Sequence, residues 1–229
     1  MLKVSIITLF PDFFKSPFES SLLGRALANK ILHVDLVNLR DFAINKYGQV
    51  DDAPYGGGPG MVLMVEPVKK ALDSIPGPRY VILLSPRGHR LKQADINNLA
   101  KIDGDKTLVF ICGHYEGIDE RIVHYVDTSF SLGEFVISGG EPAALVMVDA
   151  ISRQLDGFVE KRESIEKESY MNDRYIEYPH YTRPREFEGL KVPDVLLSGN
   201  HKKIEEYREK EIKAATARFL KNDQKEDSL

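Results

Sequence analysis

The sequence holds a single cysteine, Cys112, so it can form no internal disulfide and no cysteine-based zinc cluster. Such a chain is independent of an oxidising compartment and reads as cytoplasmic. No apolar run approaches the roughly 20 residues of a membrane-spanning helix, so no membrane association is expected. The apolar run 4–10 is short and ends at Pro11-Asp12 with no small-residue cleavage site after it. It reads as a buried strand, not as a signal peptide. Excess positive charge is also lacking: 31 Lys and Arg stand against 35 Asp and Glu, a net charge of −4. A chain of that sign has no general field for coating DNA or RNA. Two phosphate-binding signatures, G-x-x-x-x-G-K-[ST] and a strand-to-helix G-x-G-x-x-G, are missing, which argues against triphosphate and dinucleotide ligands. No internal repeat is present.

What is there is globular. Hydrophobic residues make up 42% and charged residues 29% of 229 residues, enough for one large domain or two smaller ones. Strands are predicted at 3–9 (KVSIITL), 33–39, 80–84 (YVILL) and 107–112 (TLVFIC). The last two are near-continuous apolar runs, as in strands covered on both faces of a parallel sheet. Helical spacing marks 20–31, 91–100 (inner face Leu91, Ala94, Ile96, Leu99) and 142–155. Short apolar pieces follow at 121–126 and 136–137. This alternation indicates an α/β fold with a mostly parallel sheet. The charged stretch 160–168 (EKRESIEKE) suits a linker. Beyond it lies a charged helix with Asn200 as N-cap and Glu206–Lys210 and Glu209–Lys213 as i,i+4 pairs. The expected organisation is a large α/β domain at 1–156, a linker at 157–176 and a small helical domain at 177–229.

Glycine is concentrated in loops that follow apolar runs: 54–61 (PYGGGPGM), 112–121 (CGHYEGIDER) and 132–141 (LGEFVISGGE). A fourth loop, Ser85-Pro86-Arg87-Gly88, follows the strand at 80–84. Ligands of open α/β sheets sit beyond the carboxyl ends of the strands, so these loops are candidates for one pocket. Without anion-binding hardware, they suit an adenosine or amino-acid moiety held by backbone contacts.

The strings VDD (50–52), YGGGPGM (55–61), LSP (84–86), YEGIDER (115–121), SGGE (138–141), PHYTRP (179–184) and VLLSG (195–199), in this order, resemble the bacterial tRNA guanine-N1 methyltransferases. These enzymes methylate the guanine just 3′ of the anticodon. The likeness runs from residue 1 to about residue 220. It implies an α/β domain of the knotted SPOUT class with a deep trefoil knot, an obligate homodimer, tRNA as partner and S-adenosylmethionine as methyl donor. The donor would be held by Leu84, Ser85, Pro86, Gly113, Tyr115, Glu116, Gly117, Ser131, Leu132, Gly133, Phe135, Ile137, Gly139 and Gly140. The RNA would meet Asp51, Gly58, His180, Tyr181, Thr182 and Arg183.

Guanine N1 carries a proton, so its methylation needs a general base, and a cation near O6 would help as charge develops there. The resemblance puts the base at Glu168, where the family has aspartate. Asp173 is a second candidate, because the segment 169–179 is one residue longer than the common pattern. Arg153 is the candidate cation. Two further departures are His114, where arginine is common, and Pro142-Ala143-Ala144, where the proline has moved by one residue. Asp119 and Arg121 are read either as a structural pair or as catalytic. Cys112 is read as a buried small residue, not as a nucleophile with His114. No metal ligands are expected; Mg2+ is admitted as an aid to deprotonation. The rivals are a ribose 2′-O-methyltransferase of related fold, a non-catalytic RNA-binding protein and a small-molecule methyltransferase.

The acidity is uneven: residues 1–160 carry 16 basic and 20 acidic side chains, the remainder 15 of each. Few phosphates can then be neutralised. The slope of log affinity for tRNA against log salt is expected to be shallow, reflecting only a few phosphate contacts. Filter binding across a salt series checks this, and a steep slope contradicts it.

Overall fold

The computed structural model describes residues 1–102, 104–160, 168–171 and 175–226, with side chains as far as Lys221 in the last helix. The chain divides into two compact units, Met1–Glu160 and Lys161–Leu229. In the first unit the elements run β1 (Leu2–Thr8), α1 (Lys15–Glu19), α2 (Ser21–Ala28), β2 (Leu32–Asn38), β3 (Asp51–Asp52), β4 (Val62–Leu63), α3 (Val65–Ser74), β5 (Arg79–Arg90), α4 (Gln93–Leu99), β6 (Thr107–Cys112), β7 (Thr128–Ser131) and α5 (Glu141–Ser152). Five strands form one sheet in the order β2-β1-β6-β5-β7. Every pairing in it is parallel, as the apolar runs led one to expect. β3 and β4 pair separately and antiparallel.

Alternation along the strands explains why the central runs are apolar throughout. Val4, Ile6, Ile82, Leu108 and Phe110 enter one core with Phe14, Ala144, Met147 and Ile151. Their neighbours Ile7, Val81, Val109 and Ile111 enter a second core on the other face with Val68, Leu72 and Ile122. Both faces are dry, so no position in β6 after Thr107 can be polar at low cost.

The sequence reading missed α3 and β7. In α3 the buried residues Val68, Ala71 and Leu72 follow helical spacing, but no side chain caps its start. β7 is four residues long with only Phe130 buried, too short to signal a period. The apolar piece at 121–126 falls in a 3₁₀ helix, Glu120–Tyr125, capped by the Asp119 side chain. The piece at 136–137 lies in a loop, with Val136 91% exposed. One expectation needs correction: Ala94 faces solvent in the first turn of α4, and only Ile96 and Leu99 of its expected inner face are buried. β5 also runs past Leu84 to Arg90, with a register shift between Leu84 and His89 against β7. That bulge brings Gly88 onto the partner strand: a Cβ there would stand 2.5 Å from the Phe130 nitrogen. Only glycine fits.

The second unit contains β8 (Glu186–Phe187), β9 (Leu190–Lys191), α6 (Asp194–Leu197) and α7 (His201–Glu226). Glu188 and Gly189 both have positive φ, the type I′ geometry of a two-residue hairpin. Asn200 caps α7 as expected, accepting from the Lys203 nitrogen at 3.1 Å. The expected Glu206–Lys210 and Glu209–Lys213 pairs do not close. Among the described residues the ion pair on this helix is Arg208–Glu205, at 3.8 Å. On an exposed helix these long side chains gain little by holding one geometry. The segment before α7 is fastened to it by aromatic contacts. Tyr170 meets Phe219 edge-on with centroids 5.5 Å apart, and Arg208 lies 4.6 Å over the Tyr178 ring.

Phe158 lies beyond α5, yet it is buried in the first core, so the first unit extends to Glu160. Phe158→Ala is expected to destabilise that unit by about 3–5 kcal/mol, read as a fall in denaturation midpoint. A shift under about 1 kcal/mol would mean that the site collapses onto the gap.

Candidate active site

The loops that follow β6 and β7 meet the bulge in β5 at one end of the sheet and enclose a pocket of about 350 Å³. That is within the range of small-molecule sites, roughly 300–1,000 Å³. Leu84, Ser85 and Pro86 come from β5, Gly113, Tyr115, Glu116 and Gly117 from the loop after β6, and Ser131, Leu132, Phe135, Ile137, Gly139 and Gly140 from the loop after β7. All thirteen line the pocket. Gly133, the fourteenth residue expected there, stands outside it beside a neighbouring depression, where its carbonyl accepts from the Ser131 hydroxyl. The sequence reading gave no site role to Arg87 and Glu120, which lie in its candidate loops, line the pocket and pair between β5 and the 3₁₀ helix at 2.7 Å. It also missed the apolar floor of Leu83, Ile118, Ile122, Phe130 and Ala143. Residues so far apart in the chain leave no common spacing to read.

Close backbone approach shapes this pocket. The Gly140 nitrogen donates to the Gly113 carbonyl at 2.8 Å, and Gly139 bridges His114. A Cβ on Gly140 would stand 2.6 Å from the Cys112 Cα and 2.9 Å from the Gly113 nitrogen. The first glycine loop joins from the side. The Glu116 nitrogen donates to the Met61 carbonyl, and a Cβ on Gly60 would stand 2.5 Å from the Glu116 Cγ. Asp51 sits in β3 opposite Leu63, and Gly58 lies in the exposed loop that follows, at φ +120.

The other candidates divide by unit. Arg153 caps the C-terminus of α5, half-buried, and is not among the residues lining the pocket. Glu168 belongs to the second unit, half-buried, and its carbonyl accepts from the Met171 nitrogen. Asp173 and most of the charged stretch 160–168 lie outside the described residues. His180 pairs with Glu177 at 3.1 Å, and Thr182 and Arg183 are exposed. Burial, and then the neighbouring Tyr181, push the Tyr207 phenol up to about 12. The Tyr181 ring is exposed.

Arg121 grips Asp119 through two bonds of 2.9 and 2.6 Å, and this guanidinium holds the carboxyl below its usual range. Asp119 also caps its own 3₁₀ helix, which gives the pair a part in the local structure. Burial, and then the Glu141 carboxylate, push the Cys112 thiol well above its ordinary value, which leaves it no thiolate character. The buried-residue reading of Cys112 holds.

Gly140→Ala is expected to displace the 138–140 loop and to weaken, at least about tenfold by calorimetry, binding of the methyl donor that the resemblance implies. Gly104→Ala, where a Cβ would meet nothing within 4 Å, is expected to leave binding unchanged.

The family model described as tRNA (Guanine-1)-methyltransferase TrmD matches residues 2–223. A protein of Carboxydothermus hydrogenoformans named tRNA (guanine-N(1)-)-methyltransferase is 47% identical over 212 residues, covering 92% of this chain and 82% of its own. Proteins of the same name from Desulfitobacterium hafniense and Gloeobacter violaceus are 49% and 50% identical. The first of these alignments covers 96% of this chain and 82% of the relative, the second 90% and 91%. With a site built from the strings that carried the resemblance, and a match along almost its whole length, the chain belongs to the tRNA (guanine-1)-methyltransferase family.

Proposed function

We propose that this protein transfers the methyl group of S-adenosylmethionine to N1 of the guanine immediately 3′ of the anticodon in tRNA. The observation that carries the reading is the pocket built by the loops after β5, β6 and β7, in a chain of this family. Its chemistry fits the donor. An apolar floor and the Phe135 and Ile137 side chains suit the adenine, and bare backbone at Gly113, Gly139 and Gly140 suits close approach. The Glu116 carboxylate suits a ribose hydroxyl or the amino group. When bound, the donor supplies a methyl group on a positively charged sulfur.

The rest falls to the protein's own residues. Glu168 takes the N1 proton as the N1–methyl bond forms and the methyl–sulfur bond breaks, and the sulfur leaves with the electron pair. Arg153 offsets charge developing toward O6; its planar guanidinium suits a carbonyl oxygen. His180, Tyr181, Thr182 and Arg183 meet the RNA, with Tyr181 presenting its ring to a base. Among the described residues no three His, Cys, Asp or Glu side chains group as metal ligands.

The knotted form of the first unit and a homodimer belong to the same proposal. The tight packing of 139–140 against Cys112–Gly113 supports the former. Phe10, Phe13 and Val146, large apolar side chains exposed on the first unit, support the latter. No described helix is long and apolar enough to cross a membrane, which accords with action in the cytoplasm.

Glu168→Gln is expected to lower methyl transfer at least about a hundredfold while leaving donor binding intact. Near-normal turnover would move the role to Asp173. The same assay on transcripts with guanine, inosine or adenine at the target separates the readings. Inosine keeps N1–H and O6, whereas adenine lacks both. Transfer to all three, with methyl found on ribose, would indicate a 2′-O-methyltransferase.

A further inference from the structure

Glu141 is the first residue of α5 and one of four buried polar or charged side chains in the described core, only 4% exposed. The reaction makes no use of it. An ionised carboxylate in such a place is expensive unless hydrogen-bonded. Its Oε1 accepts from the Thr8 hydroxyl at 2.7 Å, and Thr8 is itself fully buried at the carboxyl end of β1. The same hydroxyl oxygen accepts from the Phe10 nitrogen at 2.9 Å. The other carboxylate oxygen faces the pocket wall: a Cβ on Gly139 would clash with Glu141 Oε2 and stand 2.8 Å from His114 Nδ1. That nitrogen is buried and has no partner. The His114 ring in turn lies between Phe10 and Tyr115, with centroids 5.0 and 4.8 Å away.

The turn after β1 thus touches the pocket at two points although none of its residues lines it. Thr8 holds Glu141 at the start of α5, and Phe10 backs His114. Gly139 and Gly140, between those two supports, form the wall. We infer that Thr8 and Glu141 are positioning residues: their hydrogen bond sets the Gly139–Gly140 wall and with it the affinity for the methyl donor. This rests on the proposed donor. The bond acts on the pocket before any RNA arrives, so the effect falls on donor binding and not on the chemical step.

Thr8→Val keeps the volume and removes the donor, whereas Thr8→Ser keeps the hydroxyl. Three readouts apply: the calorimetric Kd for S-adenosylmethionine, steady-state constants for donor and tRNA, and hydrogen exchange at the Gly140 amide without ligand. Thr8→Val is expected to weaken donor binding and raise its KM by about tenfold or more, the scale of a bond to a charged group. Its kcat and KM for tRNA should stay within about threefold, and the Gly140 amide should exchange faster. Thr8→Ser should restore all of these. The inference is overturned if folded Thr8→Val binds like wild type, if it changes kcat alone, or if Thr8→Ser fails equally, which would make packing the cause. Should Thr8→Val not fold, Glu141→Gln decides. It replaces the carboxylate acceptor with a neutral one and so weakens the bond; donor binding should fall about threefold or more with kcat held, and binding like wild type counts against the hydrogen bond. Wild type run alongside keeps the two readings apart. If it does not bind the donor, the proposed function falls, and exchange at Gly140 alone judges the positioning bond.

Discussion

The first unit depends on how closely residues 139–140 approach the backbone of Cys112 and Gly113. No Cβ fits at Gly140, and the reason is space, since its φ lies in the ordinary helical region. The loop after β7 is thereby stitched to the loop after β6 by a backbone hydrogen bond and a bridge. Gly88 repeats the device one strand away, where the bulge in β5 lies on the backbone of β7. Close approach at both places turns three strand ends into one enclosure. Polar side chains in the core are costly, and the described sheet buries Ser5 in the middle of β1 and Thr8 at its carboxyl end.

That edge has a consistent electrostatic character. Its charges are mostly paired: Arg87 with Glu120, Asp119 with Arg121, and Glu141 hydrogen-bonded to Thr8. The floor is apolar, and the one thiol is silent because burial and a nearby carboxylate both disfavour its ionisation. A pocket of this kind selects by shape and backbone contact more than by net charge, which agrees with a chain that carries no excess of positive charge.

The second unit is held together differently. The α7 face toward its neighbours is only half-buried, and the preceding segment is pinned to it by Tyr170–Phe219 and Tyr178–Arg208. These contacts use the rings of Tyr170 and Tyr178, ahead of PHYTRP, as structural elements and leave the Tyr181 ring, His180, Thr182 and Arg183 on the surface. Such a unit has little core, so its geometry rests on a few specific pairs and not on bulk burial.

The parallel α/β character was legible in the residues alone, because strands buried on both faces must be apolar in succession, as Val81–Leu84 of β5 and Leu108–Cys112 of β6 are. Most of the pocket was legible too, since glycines after strands mark backbone turns where ligands gather. The Asn200 cap was legible because a cap is local. Only the tertiary structure decided the rest. β7 and α3 carry too few residues or caps to announce themselves. Among the described residues the ion pair on α7 joins Arg208 to Glu205 at i,i+3 and not the i,i+4 partners. The links Thr8–Glu141 and Arg87–Glu120 join residues 133 and 33 positions apart. Local propensity has no reach over such separations. They exist because the parallel sheet brings the carboxyl ends of β1, β5 and β6 to one edge, where α5 begins.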